Sequence, residues 1–155
     1  MHVYRISQTK YSRSLNSPGL YGRWNSEGMK VLYTGGSAAL SCLEVAVHRS
    51  GASLTSGDFS VTVIDIPDSL KIEEVPIDEL TDVNPDWYKP KNSLMTQYKG
   101  DEWLKGLATV VLKVPSAIIQ FEYNYLLNVE HPDFSKISIY SVNPFKFVPR
   151  LKIDP

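Results

Sequence analysis

Glu44 is the residue whose position says most about chemistry. It lies on a predicted helix with Leu40, Leu43 and Val47, and the i, i+3, i+4, i+7 spacing places them on one face. Because an ionised glutamate is rarely buried alone, it lies at the edge of the stripe, pairs with a cation or faces a cavity. A carboxylate fixed in a cavity stabilises an oxocarbenium-like transition state, which is the chemistry of glycosyl transfer.

Arg23 is a candidate anion ligand in a long polar segment, residues 8–28. It stands in the block Gly22-Arg23-Trp24-Asn25, and its guanidinium offers a rigid fork of donors suited to phosphate or carboxylate. The alternative is a solvated arginine stacked on Trp24 or Tyr21. Loops of this length are functional or disordered, so both interpretations stay open.

A second candidate anion site lies where a predicted strand over 29–34 ends in Gly35-Gly36. Ser37 follows as the predicted N-cap of a helix, and a helix N-terminus presents N–H groups to an anion. The segment has neither the phosphate-binding GxxxxGK[ST] pattern nor GxGxxG, so an ordinary strand-to-helix turn explains it equally well. Tyr33 offers a ring face to a planar base, or belongs to the core.

Ser116 and Asn124 are the candidate polar residues of the second half. Ser116 lies between two strand-like segments, 109–114 and 117–123, where its hydroxyl can reach a ligand or serve an ordinary turn. Asn124 can satisfy loop backbone groups, as asparagine often does. The 3 histidines and 1 cysteine show no zinc-ligand spacing, so we expect no metal site.

Size, charge and cysteine content limit the class of protein. The chain has 155 residues, 43% of them hydrophobic, which predicts a single domain over 1–155. A formal net charge of -1 disfavours direct nucleic-acid binding, and no apolar run is long enough to span a membrane. The single cysteine, and the lack of an apolar segment behind a basic N-terminus, predict a cytoplasmic location.

Short strands with one clear helix predict an α+β domain built mainly on antiparallel sheet. The predicted helix runs from Ser37 to about Arg49 and is closed by Gly51. An irregular excursion covers 67–100, with a short helix near 77–80, and one helical turn covers 101–106. The predicted strands cover 2–7, 29–34, 59–66, 109–114, 117–123, 137–142 and 145–148.

The order of these motifs resembles the RES domain, a family named after arginine, glutamate and serine. The resemblance covers about residues 2–150. The motifs that carry it, in chain order, are Tyr4-Arg5, Gly22-Arg23-Trp24-Asn25, Leu32-Tyr33-Thr34-Gly35, Leu43-Glu44 with His48, Val114-Pro115-Ser116-Ala117, Asn124-Tyr125-Leu126-Leu127-Asn128 and His131-Pro132-Asp133-Phe134.

The resemblance implies a function, a fold and a partner. RES proteins are toxins of bacterial toxin–antitoxin modules, paired with an Xre-type antitoxin that binds DNA. Their fold is similar to that of ADP-ribosyltransferase toxins, and they deplete NAD⁺ by hydrolysis or phosphorolysis. We therefore expect a hetero-oligomer with an antitoxin. The alternatives are an ADP-ribosyltransferase that modifies one protein, as some members are described to do, and a non-catalytic interaction domain.

The resemblance also implies roles for single residues. The family's arginine, tyrosine, glutamate and serine match Arg23, Tyr33, Glu44 and Ser116, its asparagine motif contains Asn124, and a first-strand arginine matches Arg5. On this basis we hypothesise that Arg23 anchors the pyrophosphate and that Tyr33 stacks near the nicotinamide or its ribose. Glu44 would stabilise the transition state, and Ser116 would hold the nicotinamide–ribose side. Two departures stand out. Val129 occupies a position where the family often has proline, and 67–100 carries no family motif.

Overall fold

A seven-stranded sheet forms the centre of the computed structural model, which describes residues 1–151. The strands are β1 (His2–Gln8), β2 (Val31–Gly35), β3 (Phe59–Asp65), β4 (Ile72–Glu74), β5 (Val111–Pro115), β6 (Tyr123–Asn128) and β7 (Ser138–Phe145). Their spatial order is β4-β5-β6-β2-β1-β3-β7, and every neighbouring pair is antiparallel except β4–β5. The predicted α+β class with a mainly antiparallel sheet is confirmed.

Four α-helices accompany the sheet within the described residues: α1 (Ala38–Ala46), α2 (Gly51–Ser56), α3 (Ile77–Thr81) and α4 (Ser93–Gly106). Short 3-10 turns lie at Thr9–Tyr11, Pro90–Asn92, Pro132–Lys136 and Pro149–Leu151. In the part of the chain that the structure covers, no helix combines the length and the apolar character needed to cross a membrane.

Helix α1 begins as predicted but ends early. The Ser37 hydroxyl accepts a hydrogen bond from the Leu40 amide at 3.0 Å, so Ser37 is the N-cap. The helix stops at Ala46, and Gly51 begins α2 instead of closing α1. The reason is a second cap, because the Ser50 side chain accepts from the Ser53 amide and starts a new helix.

The buried face of α1 is rotated from the predicted stripe. Leu40 is buried as expected, but Val47 is 50% exposed. Cys42 and Ala46 are buried instead, in a cluster with Ile6 of β1. Glu44 is half-buried at the edge of this face, so its carboxylate lies beside the core and not within it.

The predicted strand over 117–123 is wrong. These residues form a turn, and β6 begins only at Tyr123. The Ser116 hydroxyl accepts hydrogen bonds from the amides of Ile118 and Ile119, which curls the chain directly after β5.

The two strands predicted over 137–142 and 145–148 are one strand, β7, which runs through Pro144. Proline lacks a backbone donor, but β7 is an edge strand with a neighbour on one side only, so the missing donor breaks no ladder there. Residues 146–148 follow the strand without joining it.

Only the last turn of α4 was predicted. The helix runs for 14 residues, and its buried positions are Thr96, Gly100, Trp103 and Leu104. Because two of these four positions carry a polar or a minimal side chain, the apolar periodicity that reveals an amphipathic helix is absent from its first half.

The site face of the sheet, which carries Tyr33, is set by strand register. Tyr4 pairs with Gly35, and Gly35 pairs with Asn124, so these residues share one face. Side chains alternate along a strand, so Tyr33 shares this site face and Arg5 points to the opposite face. Two buried clusters cover the site face. One contains residues of α1, and the other contains Trp24 and residues of α4.

Candidate functional site

The Glu44 carboxylate is held by two side-chain donors. Ser116 Oγ donates to Glu44 Oε1 at 3.0 Å, and Asn124 Nδ2 donates to the same oxygen at 2.6 Å. We call these three residues the Glu44 cluster. Within residues 1–151, Glu44 Oε2 accepts no hydrogen bond, so one oxygen orients the carboxylate and the other is free for a ligand.

Ser116 supports the carboxylate from a fully buried position. The residue is 0% exposed, and its oxygen accepts from the amides of Ile118 at 3.0 Å and Ile119 at 3.1 Å. Its single hydroxyl proton is directed at Glu44. Burial and the direction of its proton make Ser116 an orienting group.

Asn124 is placed by β6, directly across from Gly35 of β2. Only the amide nitrogen can donate to a carboxylate, so the bond to Glu44 fixes which way the side-chain amide faces. Its Oδ1 is buried and, among the described residues, lacks a hydrogen-bond partner. Because an unpaired buried acceptor costs free energy, this oxygen would gain from a hydrogen-bond donor supplied by a ligand.

Arg23 is placed by the loop that follows residue 21. Its two terminal nitrogens donate to the carbonyl oxygens of Trp87 at 3.0 Å and Tyr88 at 2.8 Å. Burial lowers the pKa of the guanidinium, while attraction to Glu44 and Tyr33 acts in the opposite direction. The group stays protonated, and its charge attracts that of Glu44 through space.

Tyr33 connects the sheet to the Arg23 segment. Its hydroxyl donates to Asn25 Oδ1 at 2.7 Å and accepts from the Trp24 amide at 3.0 Å. The ring is 36% exposed, whereas the hydroxyl lies inside this network. Burial raises the pKa of the phenol above its ordinary value, so Tyr33 is neutral. The two hydrogen bonds of its hydroxyl hold the ring in place.

Arg5 is not brought to the Glu44 cluster. It lies on the opposite face of the sheet, and its guanidinium donates to the carbonyl oxygens of Tyr11 at 3.4 Å and Ser14 at 3.1 Å. Burial lowers its pKa. Arg5 thus ties down the segment after β1, so the predicted ligand role has no support from its position.

The N-terminus of α1 is occupied by the protein itself. The Ser37 hydroxyl donates to Glu122 Oε2 at 3.0 Å, and the Gly36 amide donates to the Tyr123 carbonyl. A carboxylate of the chain therefore holds the place that an anionic ligand would take. Of the two interpretations of this segment, the ordinary strand-to-helix turn fits the structure.

Two groups that support the candidate site were not predicted from the sequence. Asn25 is fully buried, accepts from Tyr33 and donates to three carbonyl oxygens, those of Leu20, Ser26 and Met29. Its place in the Gly-Arg-Trp-Asn block was the available signal. The carbonyl oxygens that bind Arg23 had no signal, because backbone atoms carry no residue type.

The arrangement suits a ligand with opposite charges at two ends. A guanidinium and a carboxylate with a free oxygen lie near enough for their charges to interact. The first can bind an anionic group, and the second can stabilise positive charge that develops during a reaction. Within residues 1–151, no group of three or more His, Cys, Asp or Glu side chains is placed to hold a metal ion.

Comparison with known proteins gives a consistent set of relatives. A family model described as the RES domain matches residues 2–148. The Toxin Res of Photorhabdus laumondii is 38% identical over 140 residues, which cover 88% of this chain and 86% of the relative. The Prs ADP-ribosylating toxin of Sphingobium sp. is 30% identical over 130 residues, with 84% and 80% covered.

A solved structure shares the fold. A chain from the crystal structure of the M. tuberculosis MbcT-MbcA toxin-antitoxin complex superposes with a TM-score of 0.74. The match covers 97% of this chain and 85% of that chain, at 16% sequence identity. At this level of identity the likeness concerns the fold alone.

Proposed function

The chain belongs to the RES domain family, and on that premise we propose that it is the toxin of a toxin–antitoxin pair that destroys NAD⁺ by cleaving the nicotinamide–ribose bond. The observation that carries the proposal is the Glu44 carboxylate. Two donors orient one of its oxygens, the other is free, and the charge of Arg23 interacts with the carboxylate through space. In this proposal the two groups line one cleft that binds the substrate.

The reaction needs little proton transfer at the leaving group. When the C1′–N1 bond breaks, the electron pair goes to the pyridinium nitrogen, so nicotinamide leaves as a neutral ring. Positive charge develops at C1′, and a fixed carboxylate stabilises it. A water or phosphate oxygen then forms the new bond to C1′, and a water acceptor loses its proton to the solvent or to Glu44.

Arg23 binds the pyrophosphate of the substrate in this proposal. A guanidinium has five N–H donors, and the carbonyl oxygens of Trp87 and Tyr88 engage two of its nitrogens. The donors that point away from these carbonyls are available to an anion. Because the side chain is tied on one side, it is oriented before the substrate arrives, which reduces the entropy lost on binding.

The other site residues have supporting roles in the proposal. Tyr33 presents its exposed ring to the nicotinamide or its ribose, because its hydroxyl is engaged elsewhere. Ser116 orients Glu44 and does not itself hold the substrate, since its proton is directed at the carboxylate. The free Oδ1 of Asn124 accepts from the substrate.

The partner belongs to the same proposal. The M. tuberculosis structure is that of a toxin-antitoxin complex. We extend this to an Xre-type antitoxin that forms a hetero-oligomer with this chain in the cytoplasm. Covering the cleft between Arg23 and Glu44 would suffice to inhibit the reaction.

The direct test is to incubate the purified protein with NAD⁺ and to measure free nicotinamide, with and without added phosphate. Release that depends on protein, with ADP-ribose as the second product, supports hydrolysis. A rate that rises with phosphate, with a phosphorylated ADP-ribose product, supports phosphorolysis. Equal nicotinamide signals with and without protein under both conditions would reject the proposal.

A matched pair of arginine variants tests the anchor. Arg23→Ala should weaken NAD⁺ binding measured by calorimetry, because it removes the cation that faces the pyrophosphate. Arg13→Ala, which alters an exposed arginine elsewhere, is the control. Equal affinities of the two variants would reject the role of Arg23.

The second candidate is transfer of ADP-ribose to one protein, favoured by the relative named an ADP-ribosylating toxin. It predicts that label from adenine-labelled NAD⁺ appears on a protein band, with little free ADP-ribose. The non-catalytic interaction domain predicts neither label transfer nor nicotinamide release, and no growth arrest when the chain is expressed alone.

A further inference from the structure

Residues 22–26, which we call the arginine loop, lie against helix α4, a helix that no motif assigns to the site. We infer that four residues of α4 hold the arginine loop by its backbone, and that they are positioning residues for the guanidinium of Arg23. The inference rests on the proposed function, because the benefit of positioning Arg23 is measured by substrate binding.

The first two contacts are hydrogen bonds to carbonyl oxygens of the loop. Thr96 Oγ1 donates to the carbonyl oxygen of Arg23 itself at 2.6 Å, and Thr96 is 0% exposed. Gln97 Nε2 donates to the carbonyl oxygen of Gly22 at 2.8 Å. A buried hydroxyl on the backbone of the anchor residue fixes the point from which the arginine side chain extends.

The next two contacts come one helical turn later. Gly100 lies so close to the loop that a Cβ built there would stand 1.8 Å from the Trp24 carbonyl oxygen, so only glycine permits this approach. Asp101 accepts from the Ser26 amide at 2.9 Å and from the Ser26 hydroxyl at 2.6 Å.

These four residues share one side of α4, because positions i, i+1, i+4 and i+5 are neighbours on a helix surface. They contact Gly22, Arg23, Trp24 and Ser26, which is nearly every residue of the loop. We call this set, Thr96, Gln97, Gly100 and Asp101, the α4 clamp.

A second attachment holds the side of the loop opposite the α4 clamp. Tyr33 of β2 accepts from the Trp24 amide and donates to Asn25, which ties the loop to the sheet. The loop is therefore gripped between a strand and a helix. A helix or a strand is ordered by its own regular hydrogen bonds. This irregular loop is ordered by contacts from two neighbouring elements instead.

The same part of the chain also binds the end of the arginine side chain. Trp87 and Tyr88, whose carbonyl oxygens accept from the guanidinium, precede α4 by only a few residues. Backbone and guanidinium of Arg23 are thus both fixed by residues 87–101. This gives the stretch without family motifs a role: it sets where the anchor points.

The test compares Thr96→Val with Thr96→Ser and adds a milder variant, Gln97→Met. Thr96→Val and Gln97→Met each remove one donor while keeping the side-chain size, and Thr96→Ser keeps the hydroxyl. Leu94→Ala, at a 79% exposed position of the same helix, is the control. The two readouts are steady-state kinetics of nicotinamide release from NAD⁺ and amide hydrogen exchange of residues 22–26.

We expect Thr96→Val and Gln97→Met to raise the KM for NAD⁺ by roughly two- to tenfold, the effect of one hydrogen bond, with kcat changed less than KM. Exchange in the arginine loop should rise in both, while exchange in the sheet stays as in the wild type. Thr96→Ser should restore KM, and Leu94→Ala should match the wild type.

Three results would overturn the inference, and the first two are unchanged loop exchange and faster loop exchange with an unchanged KM. Loss of kcat in proportion to the unfolded fraction would also contradict it. If the wild type releases no nicotinamide, the proposed function fails and the substrate role fails with it. Hydrogen exchange then still decides whether the α4 clamp orders the loop, so the two failures are distinguishable.

Discussion

The Glu44 cluster and the arginine loop, the two sides of the proposed cleft, are built in different ways. The Glu44 cluster consists of side chains on or beside regular elements, α1, β5 and β6, that bind one another directly. The arginine loop is irregular, and neighbouring elements hold it by its backbone atoms. The Glu44 cluster therefore depends on which side chains are present. The arginine loop depends on where neighbouring elements meet its backbone.

This difference predicts two kinds of defect. A change in the Glu44 cluster alters the charge or the orientation of the group that faces the reacting carbon, so it should act mainly on kcat. A change that loosens the arginine loop alters where the anchor points, so it should act mainly on KM.

The largest effect is expected from Glu44→Gln. The variant keeps an oxygen that accepts from Ser116 and Asn124, so the fold should persist, but the negative charge is lost. By analogy with a lost oxyanion-hole donor, we expect kcat for nicotinamide release to fall about 10²–10³-fold. Glu27→Gln, at an exposed position, is the control. If Glu44→Gln released nicotinamide at the rate of the control, Glu44 would have no role in the reaction.

Ser116→Ala should produce a smaller, mixed effect. Removing the hydroxyl leaves the partly buried amides of Ile118 and Ile119 without their acceptor and frees Glu44 Oε1 from one donor. We expect a loss of about 1–3 kcal/mol in the free energy of unfolding, measured by urea titration, together with a lower kcat. Ser135→Ala changes an exposed serine. If both variants are equally stable, the hydrogen bonds of the Ser116 hydroxyl do not stabilise the fold as proposed.

Tyr33→Phe should have a modest effect on the arginine-loop side. It removes the hydroxyl that joins Trp24 and Asn25 but keeps the ring. We expect KM for NAD⁺ to rise by no more than about tenfold, with kcat affected less. A fall in kcat at unchanged KM would mean that Tyr33 acts on the chemical step, as the Glu44 cluster does. It would contradict the division of roles between the two regions.

The smallest effect is a pH dependence of stability from the same residue. Burial raises the pKa of Tyr33 above its ordinary value of 10.0, so the folded protein keeps a proton that the unfolded chain releases. This contribution to stability is complete below pH 10.0 and is lost as the pH rises further. Above that pH, unfolding titrations should show a steeper loss of stability in wild type than in Tyr33→Phe. The 68% exposed Tyr140, changed to Phe, should behave like wild type.

The two regions also differ in how much of them could be predicted from the sequence. Glu44 was found because a carboxylate interrupts an apolar helical stripe, and the structure joins it to Ser116 and Asn124. The support of the arginine loop was invisible, because Thr96 and Gly100 break the apolar pattern of α4 while contacting backbone atoms. Sequence patterns report side chains, and this part of the site depends on main-chain contacts.

One error, the strand over 117–123, and the unexpected position of Arg5 each have a local cause. The apolar run over 117–123 predicts a strand, but the Ser116 hydroxyl captures two amides and forces a turn. Arg5 was grouped with the ligand-binding residues, yet strand alternation places it on the face opposite Tyr33, where it binds Tyr11 and Ser14. Both outcomes depend on a hydrogen bond or a face that residue type alone does not reveal.

The most direct test of the account is a crystal structure of the Glu44→Gln variant with NAD⁺, in which slow cleavage preserves the substrate. We predict the nicotinamide ribose within hydrogen-bond distance of the residue 44 side chain, and the pyrophosphate facing the guanidinium of Arg23. A dinucleotide bound away from both residues, or an empty cleft at saturating NAD⁺, would contradict the claim that these two regions act on one substrate.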